Sequence, residues 1–154
     1  MLNLTVSNIG KGLVAGFTAT VLLSLLMVMK QMIGLMPELD VIAMLSKMMG
    51  NSGPVMAWIA HFMIGTVVLG ILYVWTSPSL PGPSWFRGAA FATGAWLVMM
   101  IVIMPMAGAG LFGNSLGMMA PIATLMLHWI FGAVLGGVFG ALDSSTISKT
   151  IAAH

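Results

Sequence analysis

Four long apolar segments, separated by short polar or glycine-rich stretches, dominate the hydropathy pattern of this chain. Each segment is continuously apolar, and each is long enough to cross a bilayer, which takes about 20 helical residues. They cover approximately residues 12–33, 54–76, 86–106 and 118–142. The pattern therefore predicts an all-α, polytopic membrane protein with four transmembrane helices, forming a single domain over residues 1–154.

A shorter amphipathic stretch, residues 38–49, lies between the first two apolar segments. Pro37 precedes it and its acids fall in the first turn, which is the usual order at a helix start. Gly50 follows it, as glycine often does at a helix end. Its apolar side chains fall mostly on one face. We expect a short interfacial helix that lies across the outer mouth of the bundle.

A proline, a histidine and two glycines recur with the same spacing in the second and fourth segments. The pattern Pro-x6-His-x3-Gly-x4-Gly occurs as Pro54, His61, Gly65 and Gly70, and again as Pro121, His128, Gly132 and Gly137. This recurrence predicts two helical hairpins, at approximately residues 11–76 and 86–142, related as parallel repeats about an axis along the membrane normal. Both histidines would then lie at one depth, about 10 Å below the outer end of the bundle.

Two imidazoles at one depth inside a membrane form a candidate ligand site. In an up-down-up-down bundle the second and fourth helices are diagonal neighbours, about 11–14 Å apart, and two imidazoles bonded to one iron can bridge that gap. The first interpretation is therefore a b-type haem held between His61 and His128, for electron transfer near the periplasmic face. The residues expected around this haem are Gly65, Gly132, Trp58, Trp129, Lys30 and Lys47. The glycines would leave room for the macrocycle, the aromatic rings would wall it, and the lysines would pair with its propionates.

Methionine supports a second interpretation of the same histidines. Apart from Met1, every methionine falls in the middle or outer part of the predicted bundle, whereas glycine concentrates at the inner ends. Soft thioether ligands suit Cu(I), so the histidines could serve in copper binding or transport. The thioethers expected beside them belong to Met36, Met63, Met104 and Met126.

The third interpretation has no cofactor. Each histidine would satisfy its hydrogen bonds within the bundle, against a hydroxyl or carbonyl such as those of Thr124 or Ser24. Duplication of a hairpin would copy a structural histidine as readily as a ligand. The chain would then be a structural or accessory subunit of a larger respiratory or oxygenase membrane complex, or part of a homo-oligomer.

Composition narrows the functional classes. Hydrophobic residues make up 60% of the chain and charged residues 5%, which excludes the surface of a soluble domain and implies contact with lipid. The three acidic residues lie outside the predicted spans, so paired acid–base catalysis lacks its groups. Cysteine is absent, and the few basic residues are spread along the chain, which does not favour nucleic-acid binding. We expect an electron carrier or an accessory subunit rather than an enzyme.

The basic residues also predict the orientation of the chain. Lys11, Arg87 and Lys149 lie on the side of the termini, whereas Lys30 and Lys47 lie on the other side. The positive-inside rule counts lysine and arginine and gives acids little weight. We therefore expect both termini on the cytoplasmic side of the membrane.

Three runs of sequence carry a resemblance to known proteins. They are residues 34–45 (GLMPELDVIAML), residues 58–65 (WIAHFMIG) and residues 128–137 (HWIFGAVLGG). Together they resemble an uncharacterised family of small bacterial four-helix membrane proteins, a domain of unknown function, across nearly the whole chain. This resemblance implies a bacterial inner-membrane location and no particular activity. The placement of one histidine on each of two helices is also similar to b-type cytochromes, which carry two per helix for two haems, so at most one haem is implied here.

Overall fold

The computed structural model describes residues 5–152 of the chain, with side chains for residues 5–144. Its helices are α1 (Val6–Met32), α2 (Val41–Met48), α3 (Pro54–Ser79), α4 (Ser84–Met106) and α5 (Met119–Ala152). The described residues contain no β-strand. Helices α1, α3, α4 and the Met119–Ser144 part of α5 are each long and apolar enough to span a membrane. The predicted all-helical, multi-pass membrane architecture is therefore confirmed.

Local capping explains where two of the helices begin. The α1 helix starts at Val6, earlier than its apolar segment, because the Thr5 hydroxyl accepts a hydrogen bond from the Asn8 amide at 3.3 Å. The α2 helix starts at Val41, later than the predicted residue 38, because the Asp40 carboxylate caps it by accepting from the Ala43 amide at 2.9 Å. The α5 helix runs beyond the predicted residue 142, and the side chain of Lys149 lies outside the described residues.

Helices α1 and α5 form the central pair of the bundle. The α1 helix packs against α3 and α5, and α5 packs against α1 and α4. In the most apolar windows of α1 and α5, 39% and 33% of residues are buried, against 17% in α3 and in α4. Helices α3 and α4 are therefore peripheral and turn most of their apolar surface outward.

Buried side chains form two cores, one in each half of the bundle. The turn-end core lies towards the connection between α3 and α4 and consists of Ala15, Ala19, Tyr73, Val74, Ala92, Phe131, Leu135 and Phe139, with Leu23, Leu69, Phe91, Val134 and Val138 packed against them. The α2-end core lies at the other end and consists of Leu39, Met100, Met104 and Ala109, with Met36, Met44, Trp96, Met99, Leu116 and Ala123 packed against them.

Contacts between distant side chains close the turn end of the bundle. The Tyr73 ring packs in T-shaped geometry against Phe91 of α4 and Phe139 of α5, each with ring centroids 5.5 Å apart. The Lys11 ammonium also pairs with the Asp143 carboxylate at 2.8 Å, which joins α1 to α5. These contacts link all four long helices at this end.

Two of the long helices contain a π-helical segment, Met63–Val68 in α3 and Met99–Ile103 in α4. The second one has a local cause. Pro105 has no amide hydrogen to donate to the carbonyl four residues earlier, and its ring would clash with that carbonyl, so the preceding turn widens. The α4 helix ends directly afterwards, at Met106.

Candidate functional site

His61 lies on α3 among aromatic side chains. Its ring meets Trp58 and Phe62 edge-on, with centroid distances of 5.7 and 5.9 Å. The Phe62 ring in turn contacts Phe17 of α1 at 5.8 Å. The Nε2 atom of His61 is buried and has no hydrogen-bond partner among the described residues. Because buried polar atoms are nearly always paired, this nitrogen is the most unusual feature of the site.

His128 on α5, in contrast, is held by its own helix. Its Nδ1 lies 2.8 Å from the carbonyl oxygen of Thr124, one turn earlier. A carbonyl oxygen can only accept, so Nδ1 carries the proton and donates. The Thr124 hydroxyl accepts a hydrogen bond from the Trp96 indole of α4 at 3.1 Å. His128 is therefore bonded within α5 to Thr124, the residue whose hydroxyl joins α5 to α4, and Thr124 is one of the partners that the cofactor-free interpretation named.

Neighbouring helices occupy the space beside the two glycines that were expected to make room for a haem. A methyl group added at Gly65 would collide with the Thr20 hydroxyl of α1. One added at Gly132 would collide with the Gly88 carbonyl of α4 and stand 2.6 Å from the Ala92 Cβ atom. Such glycines let helix backbones approach closely. The space beneath each histidine is therefore helix–helix interface, and a macrocycle does not fit there.

The same contacts indicate the direction of each imidazole. Positions four residues apart lie on the same side of a helix. His61 precedes Gly65, which faces α1, whereas His128 precedes Gly132, which faces α4. The two imidazoles thus lie towards different hairpin interfaces. This placement does not favour one iron shared between them.

Three further residues expected around the haem are bonded to other parts of the chain or are exposed. The Trp129 indole donates to the Thr93 hydroxyl of α4 at 2.9 Å. The Lys30 ammonium donates to three carbonyl oxygens, at distances of 2.8 to 3.1 Å, so its hydrogens are occupied by the chain itself. Those carbonyls belong to Leu35, Met36 and Leu39. Lys47 is exposed in the last turn of α2.

The four methionines expected as copper ligands do not converge. Met36 and Met104 both belong to the α2-end core. Met63 and Met126 are instead 53% and 58% exposed, on outward faces of α3 and α5. The structure thus brings together only half of that set. Among the described residues, no three His, Cys, Asp or Glu side chains form a group that could hold a metal ion.

A cleft of about 260 Å³ opens near the α2 end of the bundle. Its walls come from α1, the α1–α2 connection, α2, the start of α3, and α5: Met27, Val28, Lys30, Gln31, Leu39, Asp40, Val41, Ile42, Pro54, Trp58 and Leu127. Trp58 is the ring neighbour of His61, and Leu127 adjoins His128 in sequence. The cleft is smaller than the pockets of about 300–1,000 Å³ that hold drug-sized ligands. The sequence predicts a wider outer end of the bundle but not which residues line this cleft, because its walls come from segments far apart in the chain.

A known protein family matches nearly the whole chain. Residues 6–150 match the model of a family of unknown function, DUF6789. The chain belongs to this family. The match confirms the expected resemblance to an uncharacterised family over nearly the whole chain. No curated protein and no solved structure matches the sequence.

Proposed function

We propose that this DUF6789 protein is a structural or accessory subunit of a membrane assembly, and that its recurring residues hold its helices together. The observation that carries the proposal is that Thr124 accepts two hydrogen bonds, one at its carbonyl from His128 of the same helix and one at its hydroxyl from Trp96 of α4. Gly65 and Gly132 serve the same purpose, because each closes a hairpin interface. These are roles in packing, and they account for three of the eight residues that the sequence indicates as a cofactor site.

The outward faces of α3 and α4 are the surfaces such a subunit would offer. Their most apolar windows are the least buried of the four spans. The proposal includes four finer features: two hairpins related as parallel repeats, an α2 helix that lies at the membrane interface, both termini on the cytoplasmic side, and a bacterial inner membrane. Lipid covers the outward faces wherever another subunit does not.

The open Nε2 of His61 favours a second candidate, in which the imidazole ligates a haem iron or a copper ion. His128 is compatible with this role in one respect. Metal-binding histidines usually donate their other ring N–H to a carbonyl or carboxylate, as Nδ1 of His128 does. A b-type haem between the two histidines would also require α1 and α4 to withdraw from Gly65 and Gly132.

Protein solubilised from its native membrane in mild detergent distinguishes the two candidates. For a subunit we expect a particle larger than the monomer that contains the same further polypeptide in every preparation, with no Soret band and no iron or copper that is lost in His61→Leu. His128→Leu should lower the thermal stability of the protein, since it removes one hydrogen bond worth about 1 kcal/mol. His61→Leu is the matched control and should not lower the thermal stability, because the buried Nε2 of His61 has no hydrogen bond to lose.

Three outcomes would contradict the subunit function. A reduced-minus-oxidised haem α-band in the wild type, lost in both His61→Leu and His128→Leu, would replace the subunit function with electron transfer. Stoichiometric copper without a Soret band, lost in His61→Leu, would replace it with copper binding. A monomer with neither cofactor nor partner would contradict both candidates.

A further inference from the structure

Methionine is segregated between the two cores of the bundle. The turn-end core and the side chains packed on it comprise thirteen residues, and none is methionine. The α2-end core and its packed neighbours comprise ten residues, of which five are Met36, Met44, Met99, Met100 and Met104. Both cores lie in one small bundle, so a general need for apolar filling does not explain the difference. Leucine, valine and phenylalanine fill the other core.

These five thioethers come from two separate parts of the chain. Met99, Met100 and Met104 lie on α4, with Met100 and Met104 one helical turn apart and only 0% and 1% exposed. Met36 lies between α1 and α2, and Met44 lies on α2. The tertiary fold therefore collects soft ligand atoms that are far apart in sequence.

The backbone at Met36 is held in an unfavourable conformation. Its φ angle is +49°, in the left-handed region that residues other than glycine seldom adopt. Hydrogen bonds from the Lys30 ammonium to the carbonyls of Leu35, Met36 and Leu39 stabilise this segment. Strained residues persist only where the surroundings hold them, and they concentrate at functional sites. Lys30 thus positions Met36 against the α2-end core.

From this arrangement we infer that Met36, Met44, Met99, Met100 and Met104 form a binding site for a soft monovalent cation, Cu(I). Thioether sulfur is a soft ligand that selects Cu(I) over harder ions. Methionine fills irregular gaps, but its flexible chain specifies a unique core less well than leucine does, so five methionines in one core of ten residues call for a further reason. The inference is independent of the proposed function, since it uses neither histidine. It differs from the His-and-Met copper site expected from the sequence, because Met63 and Met126 face outward.

Anaerobic titration of the full-length protein in detergent tests this site. Cu(I) is added in competition with a chromophoric Cu(I) chelator, and Ag(I) serves as a redox-inert second probe. The wild type should bind one equivalent. The variant Met100→Leu/Met104→Leu should bind at least about tenfold more weakly, since leucine keeps the volume but removes the sulfur. The matched control, Met63→Leu/Met126→Leu, should bind as the wild type does.

Single variants and X-ray absorption test the same site if the buried double variant does not fold. Met36→Leu and Met44→Leu change partly buried positions, and each should weaken binding by itself. X-ray absorption of the Cu(I) complex should show sulfur ligands without the outer-shell scattering of imidazole. Imidazole scattering would assign the ion to a histidine and overturn the inference. No binding by the wild type would show that the methionines only pack. Equal loss in the outward-facing control would show that binding does not depend on the buried cluster, which would also overturn the inference.

Discussion

Gly70 lies against the carbonyl oxygen of Gly12, and a methyl group added at Gly70 would stand 2.6 Å from that oxygen. Gly137 occupies the matching place in the sequence pattern, yet open space surrounds the position of its missing side chain. Its neighbour Gly136 makes the interface contact in α5, with an added methyl group 2.9 Å from the Gly88 nitrogen. The recurring pattern is therefore not equivalent in its two copies.

A π-helical turn accounts for this difference. In α3 the π segment Met63–Val68 lies across the interval between Gly65 and Gly70. A π turn holds about one residue more than an α turn, so glycines five residues apart both face α1. The α5 helix is α-helical, and there Gly132 and Gly136, four residues apart, both face α4.

The glycine contacts predict opposite effects for two similar substitutions. Gly70→Ala should destabilise the protein by about 1–3 kcal/mol, because the methyl group forces the helix backbones apart. Gly137→Ala should be neutral or should stabilise α5 by up to about 1 kcal/mol, since alanine favours the helix and has room. Unfolding in detergent micelles, followed by circular dichroism, measures both. Similar effects of the two substitutions would contradict the assigned interface.

The hydrogen bonds of Lys30 predict local rather than global stabilisation. Lys30→Met keeps an unbranched side chain, one atom shorter, but removes three charge-assisted hydrogen bonds to the segment that contains Met36. We expect amide exchange at Leu39, whose N–H donates to the Met36 carbonyl at 3.0 Å, to accelerate at least about tenfold, or about 1.4 kcal/mol. Lys47→Met, on exposed α2 surface, is the control. Unchanged exchange in Lys30→Met would mean that the segment holds its conformation without Lys30.

Thr124 should contribute more to the stability of the bundle than the size of its side chain suggests. Thr124→Val leaves the Trp96 indole N–H without its acceptor, which should cost about 1–3 kcal/mol in a buried setting. Thr18→Val is the matched control, because the exposed Thr18 hydroxyl bonds only to its own helix, at Val14. Thermal unfolding gives the stability, and the shift of the Trp96 indole proton in NMR reports the lost hydrogen bond. A Trp96 signal unchanged in Thr124→Val would remove Thr124 from the α4–α5 contact.

Much of the fold is predictable from local sequence. Continuous apolar runs predict the four spanning helices, and Pro54 marks the start of α3 as the pattern indicates. Local patterns also predict the short helix before α3, although the Asp40 cap delays its start to Val41. These features depend on residues within one or two turns, which is the range over which hydropathy and capping act.

The candidate site was less predictable, because it depends on which way each helix faces. The sequence by itself determined that two histidines and sixteen methionines beyond Met1 enter an apolar bundle. Only the tertiary structure decided that Gly65 and Gly132, one turn after the two histidines, face different helices, that Met36 and Met104 share one core while Met63 turns outward, and that Gly136 rather than Gly137 closes an interface. The physical reason is that one extra residue in a π turn rotates every later side chain of a helix by about 100°. Hydropathy does not encode that rotation in a span that is apolar on all sides.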